Sequence, residues 1–326
     1  MKKLVANTIE KLMKIKQLLA FNKKADEITS EVKQQLYEQE INKLKERLLQ
    51  YEIGWPPGHF YSPIPSLDQI KKIENKIWDA PSKLLPGVDL HESEQVELFH
   101  QLSYYYNRQP WHDEKQQHLR YYFNNPNYSY GESIILFCLL MHLQPKRVIE
   151  IGSGYSSCAL IDTNELFLNN SMALTFIEPY PELLKSLIKP SDLNNITIVS
   201  GDLQDANLDM FAGLNVGDIL FIDSTHVSKI GSDVNHIFFK ILPQIKSGVY
   251  IHFHDIYYPF EYPKKWIYEG RAWNEAYLLR AFLQNNSEFE IVFFNSFIGE
   301  FYRTILEDQM PLCSKNPGSS IWLRKK

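Results

Sequence analysis

From residue 134 onward the chain keeps one rhythm, in which short, almost wholly apolar runs alternate with helical ones. The runs are 147–153, 173–179, 195–201, 218–224, 248–255, 290–296 and 320–326, and helical patterns at 134–143, 156–168, 181–188, 231–245 and 274–285 fill most of the gaps. A strand with one wet face alternates polar and apolar residues, whereas a strand buried on both faces is apolar throughout. Buried strands separated by helices predict a doubly wound α/β domain around an open, mostly parallel sheet. Ligands of such sheets bind outside the carboxyl ends of the strands. The residues that end each run are therefore the candidates for chemistry.

The first third of the chain reads differently. Residues 1–53 contain neither Gly nor Pro, and Val5, Ile9, Leu12, Ile15, Leu19, Val32, Leu36, Ile41, Leu44 and Leu48 recur at helical spacing. This predicts an arm of one or two amphipathic helices. Seven Lys against one Glu give its first 24 residues a charge of +6, on a chain whose net charge is −5. Two readings of the arm stand: a helix for a membrane surface or partner, or a solvated lysine face on a helix that packs on its own domain or pairs with a second copy. The stretch GWPPGHFYSPIP (54–65) breaks the pattern and opens a linker and helical cap, 54–125, ahead of a ligand-binding domain at 126–326. Tyr104, Tyr105, Tyr106, Trp111 and His112 form an aromatic cluster suited to packing or to a substrate wall.

Several function classes are excluded at this level. An acidic chain is a poor general nucleic-acid coat. Three scattered cysteines, Cys138, Cys158 and Cys313, with no CxxC, indicate neither a zinc knuckle nor a disulfide framework and fit a reducing, cytoplasmic setting. The uncharged run after the N-terminal lysines is too short for a secretory signal, and no apolar run reaches the length of a transmembrane helix.

The strand ends carry a specific set. The first closes as E-I-G-S-G-Y-S-S from Glu150, where Gly152 and Gly154 allow a tight turn. The second ends at Glu178, suited to ribose hydroxyls, the third at Gly201-Asp202, suited to an adenine edge, and the fourth at Asp223. Dinucleotide enzymes want a third glycine where this chain has Ser157. An acid two residues before the first glycine suits a cationic ligand better than a pyrophosphate. Beyond the fourth and fifth strands lie Asp223, His226, His252, His254 and Asp255, and neighbouring parallel strands would bring them together.

The stretches RVIEIGSGYSS, LTFIEPYPELL, VSGDLQD, DILFIDSTH and GVYIHFHDI together resemble a class I S-adenosylmethionine-dependent methyltransferase, of the bacterial small-molecule and sugar O-methyltransferase kind, over about residues 120–326. The resemblance implies a Rossmann-like seven-stranded sheet whose last strand is antiparallel. It implies S-adenosylmethionine as cofactor, with Glu150, Gly152 and Gly154 on its amino-acid part, Glu178 on the ribose and Asp202 on the adenine. The partner is then a small-molecule acceptor, a sugar or metabolite hydroxyl. Two chemistries fit the remaining groups. Asp223, His254 and Asp255 could bind a divalent metal, with His254 favouring Mn²⁺, Fe²⁺ or Zn²⁺ over Mg²⁺. Alternatively His226 or His254 is a general base oriented by a carboxylate, with Asp223 beside it. His252, one pair deeper, reads as a core residue. The segments 125–133, with Tyr128 and Tyr130, and 257–278, with Lys264, Lys265 and Arg271, read as covers for cofactor and acceptor. Two other functions share the fold: a metal-dependent hydroxylase-like enzyme and a non-catalytic adaptor.

Overall fold

The computed structural model describes residues 10–14, 30–49 and 54–326, so most of the basic first segment lies outside the described residues. The chain divides into two compact units. The first takes in the described residues up to Ile77 together with Lys264–Ala272. It contains helices α1 (Ser30–Leu49) and α2 (Leu67–Ile77), and its lysine Lys264 bonds Glu74 at 2.6 Å. Arg271 of the same unit lies 4.1 Å from the ring centre of Trp266. The stretch 264–272, expected within an acceptor cover, thus packs within this unit.

The second unit, Trp78–Pro263 with Trp273–Lys326, holds the sheet. Its strands are β1 (Arg147–Ile151), β2 (Ala173–Glu178), β3 (Ile196–Ser200), β4 (Ile219–Ile222), β5 (Tyr250–Phe253), β6 (Phe289–Phe294) and β7 (Ile321–Lys325). All seven fall inside the expected runs or within one residue of them. Their order is β3-β2-β1-β4-β5-β7-β6, with β7 antiparallel to both neighbours. This is the Rossmann-like methyltransferase sheet. The order reverses between β1 and β4, which opens a crevice at their carboxyl ends. All four residues of β4 are buried, which is why its sequence is apolar throughout.

Helix α3 (Glu92–Ser103) is followed by helix α4 (Tyr130–Leu143), which is buried on nearly every side and so reads as an apolar run rather than an amphipathic stripe. The break between the units falls at Ile77 rather than at residues 53 and 125. The reason is packing. Trp111, Arg120 and Tyr121 are buried in the sheet's unit, where the Trp111 indole donates to Asp162 and the Arg120 guanidinium to Asp162 and Asp192. Tyr106 is buried in the same unit, whereas Tyr104 is exposed. His252 is a core residue stacked on Phe221 at 3.8 Å; burial holds its ring well below the ordinary histidine value, and its Nδ1 has no hydrogen-bond partner.

Candidate active site

A cleft of about 430 Å³ opens at the carboxyl ends of β1 to β4, and Gly152, Glu178, Asp202 and Asp223 all line it. The turn after β1 shows how the chain builds it. Gly152 has φ +84°, and a Cβ there would lie 2.2 Å from the carbonyl oxygen of Asp223. The glycine is required because the end of β4 packs against it. Glu178 is fixed by two backbone amides, accepting from Ser153 at 3.0 Å and from Tyr180 at 2.9 Å. A carboxylate has about four lone-pair sites, so these bonds leave it able to accept from a ligand. Asp202 is exposed at the rim.

Glu150 and Gly154 are not on the cleft wall. Glu150 has no exposed surface, and its two carboxyl oxygens are taken by the hydroxyls of Ser156 and Ser157 at the start of α5 (Tyr155–Phe167). Burial pushes its carboxyl up to about 8 despite those bonds. The acid expected to meet the cofactor instead ties the glycine turn to the helix behind it.

The ends of β4 and β5 gather a second cluster. Asp223 Oδ1 lies 3.4 Å from His226 Nε2 and 3.3 Å from His254 Nδ1. Each histidine is held on its other nitrogen by a buried glutamate: His226 Nδ1 is 2.8 Å from Glu275, and His254 Nε2 is 3.0 Å from Glu132. Asp255 Oδ2 lies 3.8 Å from both rings. Burial disfavours a charged His226 ring, but the bonds to Asp223 and Glu275 outweigh it and raise the ring to about 10. His254 is likewise raised well above the ordinary value by the charges of Asp255, Glu132 and Asp223, against its burial. Burial works against an ionised Asp223 as well, yet the two rings bring its carboxyl well below the usual range. The cluster is thus two histidine rings set among four carboxyl groups.

The family described as a methyltransferase domain matches residues 149–256, the span that carries the glycine turn and both histidines. An uncharacterized protein of Archaeoglobus fulgidus is 31% identical over 170 residues, half of this chain and 76% of that protein. The chain belongs to the class I S-adenosylmethionine-dependent methyltransferase family. Solved structures give looser likenesses. One is the O-methyltransferase of tomaymycin synthesis from Streptomyces achromogenes in complex with SAM, at 16% identity and a TM-score of 0.38 over 59% of this chain and 78% of that one. Another is an SAH-bound methyltransferase from Podospora anserina, at 12% identity and a TM-score of 0.39 over 80% of this chain and 97% of that one.

This methyltransferase uses residues that strand ends do not reveal. Glu132 enters from α4, ninety residues before β4 ends. Ser319 ties it to the cluster, donating its backbone amide and hydroxyl to Glu132 and bonding Asp255 at 3.0 Å. Gly318 makes that approach feasible, since a Cβ there would sit 2.3 Å from the Glu132 side chain. Glu275 enters from helix α6 (Glu275–Leu283), where it also accepts from Ser224 at 2.8 Å. Tyr128, from the expected cofactor cover, is buried 5.4 Å from the His254 ring and donates to the Glu132 carbonyl. The only sequence signal for either glutamate was its place in a segment already suspected of covering the site.

Proposed function

We propose that this methyltransferase methylates a hydroxyl of a sugar or other small metabolite. The observation that carries the reading is the wall of one cleft: Gly152, Glu178, Asp202 and Asp223, from four successive strand ends, face a single space. When bound there, S-adenosylmethionine supplies an electrophilic methyl group. Glu178, pinned by two amides, accepts from the ribose, and Asp202 at the rim meets the adenine edge. Gly152 keeps the wall free of a side chain, and Gly154, set back from the wall, continues the same turn. Glu150 acts one layer back by bracing that turn. Asp223 is the acceptor's partner. It is ionised, its side chain is 35% exposed, and it lines the cleft. An in-line acceptor hydroxyl hydrogen-bonds to this carboxylate, which orients it and offsets the positive charge that builds on its oxygen as the methyl arrives, and the proton then leaves to water. His226 and His254, with both ring nitrogens facing carboxylates, hold Asp223 charged and aimed rather than taking the proton themselves.

The test is calorimetric titration with S-adenosylhomocysteine, followed by acceptor screening. Micromolar binding that survives Asp223→Asn, together with loss of turnover in that variant, supports the assignment. Failure to bind at millimolar ligand sinks it and returns the adaptor reading.

A second reading has one observation in its favour. Glu132, His254 and Asp255 each offer a ligand atom within 4.8 Å of the others. A divalent metal at these three would need His254 to release a proton and its bond to Glu132. The donor atoms converge, and in this arrangement His254 Nε2 is engaged by Glu132 at 3.0 Å. Turnover that falls with chelator and returns with Mn²⁺, Fe²⁺ or Zn²⁺ would favour the metal; turnover indifferent to chelator favours the carboxylate.

A further inference from the structure

Helix α6 forgoes its own cap. Its N-cap residue is Asn274, a type whose side-chain oxygen ordinarily accepts from an amide of its own helix and so stabilises it. Here the Asn274 side chain makes no such bond. It is turned instead onto the loop that follows β4, where its Oδ1 accepts from the Ser228 amide at 2.6 Å and its Nδ2 donates to the Ser228 carbonyl at 3.2 Å. The backbone amides at the start of the helix go to the same loop: those of Asn274 and Glu275 both donate to the His226 carbonyl, at 3.0 and 3.2 Å. The Trp273 ring lies 4.3 Å from that of His226. The buried Tyr262 anchors this segment, its hydroxyl accepting from the Ala276 amide at 3.0 Å.

The gripped loop is one that needs holding. His226 has φ +60°, in the left-handed region that a residue with a Cβ occupies only where its surroundings hold it there. Three residues before it stands Asp223, and Ser224, Thr225 and Lys229 of the same loop also line the cleft. A helix that gives its cap and its first amides to a strained turn trades its own stability for the shape of that turn. Asn274 itself is not on the cleft wall. We infer that Asn274 is a positioning residue for methyl transfer: it locks the backbone of the His226 turn and thereby the aim of Asp223, without touching the cofactor. The inference rests on the reading of Asp223 as the acceptor's partner. It divides the hold on His226 between neighbours, with Glu275 on the ring and Asn274 beside the backbone.

The test compares full-length wild type, Asn274→Ala and Asn274→Asp, the last of which keeps an oxygen to accept from Ser228. Amide hydrogen exchange over residues 224–232 of the free protein, read by mass spectrometry, should quicken roughly tenfold in Asn274→Ala and return toward wild type in Asn274→Asp. S-adenosylhomocysteine affinity should stay nearly unchanged in both, because Gly152, Glu178 and Asp202 come from other strand ends. With the acceptor found by screening, kcat should fall roughly ten- to a hundredfold in Asn274→Ala, with KM for S-adenosylmethionine unmoved, and recover in Asn274→Asp. Exchange that is the same in wild type and Asn274→Ala would overturn the hold on the loop. Quicker exchange with full kcat, or a large loss of S-adenosylhomocysteine affinity, would overturn the positioning role. If wild type binds no S-adenosylhomocysteine or methylates no acceptor, the positioning role fails together with the reading of the cleft, while the exchange result, which needs neither ligand, still decides the hold on the loop.

Discussion

At the scale of the residue, the site is governed by which carboxyl groups have partners. Glu178 holds the turn of Ser153 and the chain at Tyr180 while facing the cleft. Glu178→Ala should therefore weaken S-adenosylhomocysteine binding by ten- to a hundredfold, since a hydrogen bond to a charged group is worth about 1.5–3 kcal/mol. Unchanged affinity by calorimetry would remove it from the ribose. Glu150 behaves in the opposite sense. Between the ordinary 4.5 and about 8, the unfolded chain has released the Glu150 proton and the folded chain keeps it. The stabilisation is full below 4.5 and is lost as pH rises to about 8, on the order of 5 kcal/mol in all. Denaturant melts of wild type and Glu150→Gln should show this slope in the first and not in the second. The histidines set the pH dependence of turnover. With His226 raised to about 10, the rate should hold across neutral pH and fall as pH passes about 10. A histidine base of ordinary value would instead give a rate that climbs between about pH 6 and 7.

At the scale of the element, the turn between β1 and α5 does the positioning. Gly152 donates to Ile177 of β2 at 3.0 Å, and Asp223 donates to Ile151 at 2.8 Å, so three strand ends are stitched at one point. Gly152→Ala would place a methyl group into the Asp223 carbonyl at a positive φ. The expected cost is about 3 kcal/mol or more in a denaturant melt, with loss of turnover as Asp223 shifts. The difference between what was legible and what was not also lies at this scale. The seven strands and the longer helices of the sheet domain could be read from the chain because burial on both faces forces continuous apolar runs. Gly152, Glu178, Asp202 and Asp223 could be read because the topology sends every strand end to one side. Glu132 and Glu275 could not, because each comes from a helix whose own sequence gives no reason for a buried acid. Only the fold brings Glu132 to His254 and Glu275 to His226. The partners of Glu150 were equally hidden: Ser156 and Ser157 follow the glycine turn in sequence, and only the fold shows them donating to the acid.

At the scale of the whole molecule, one of the two units holds the chemistry. Every residue lining the cleft falls between Ile151 and Asp233, in the unit that holds the sheet. Both glutamates that hold the histidines belong to the same unit, Glu132 from α4 and Glu275 from α6. The basic first segment and the stretch 54–65 fall in the other part of the chain, before Ile77. The described side chains of α1, between 36 and 46, are exposed or half-exposed, so this helix adds little to a buried core. Removal of residues 1–53 should accordingly leave S-adenosylhomocysteine affinity within about twofold of the full chain, since every residue lining the cleft belongs to the other unit. Calorimetry on the shortened protein thus reads the sheet's unit by itself. A large loss of cofactor affinity on deletion would mean that the arm shapes the cleft, and the division of labour drawn from the two units would fail.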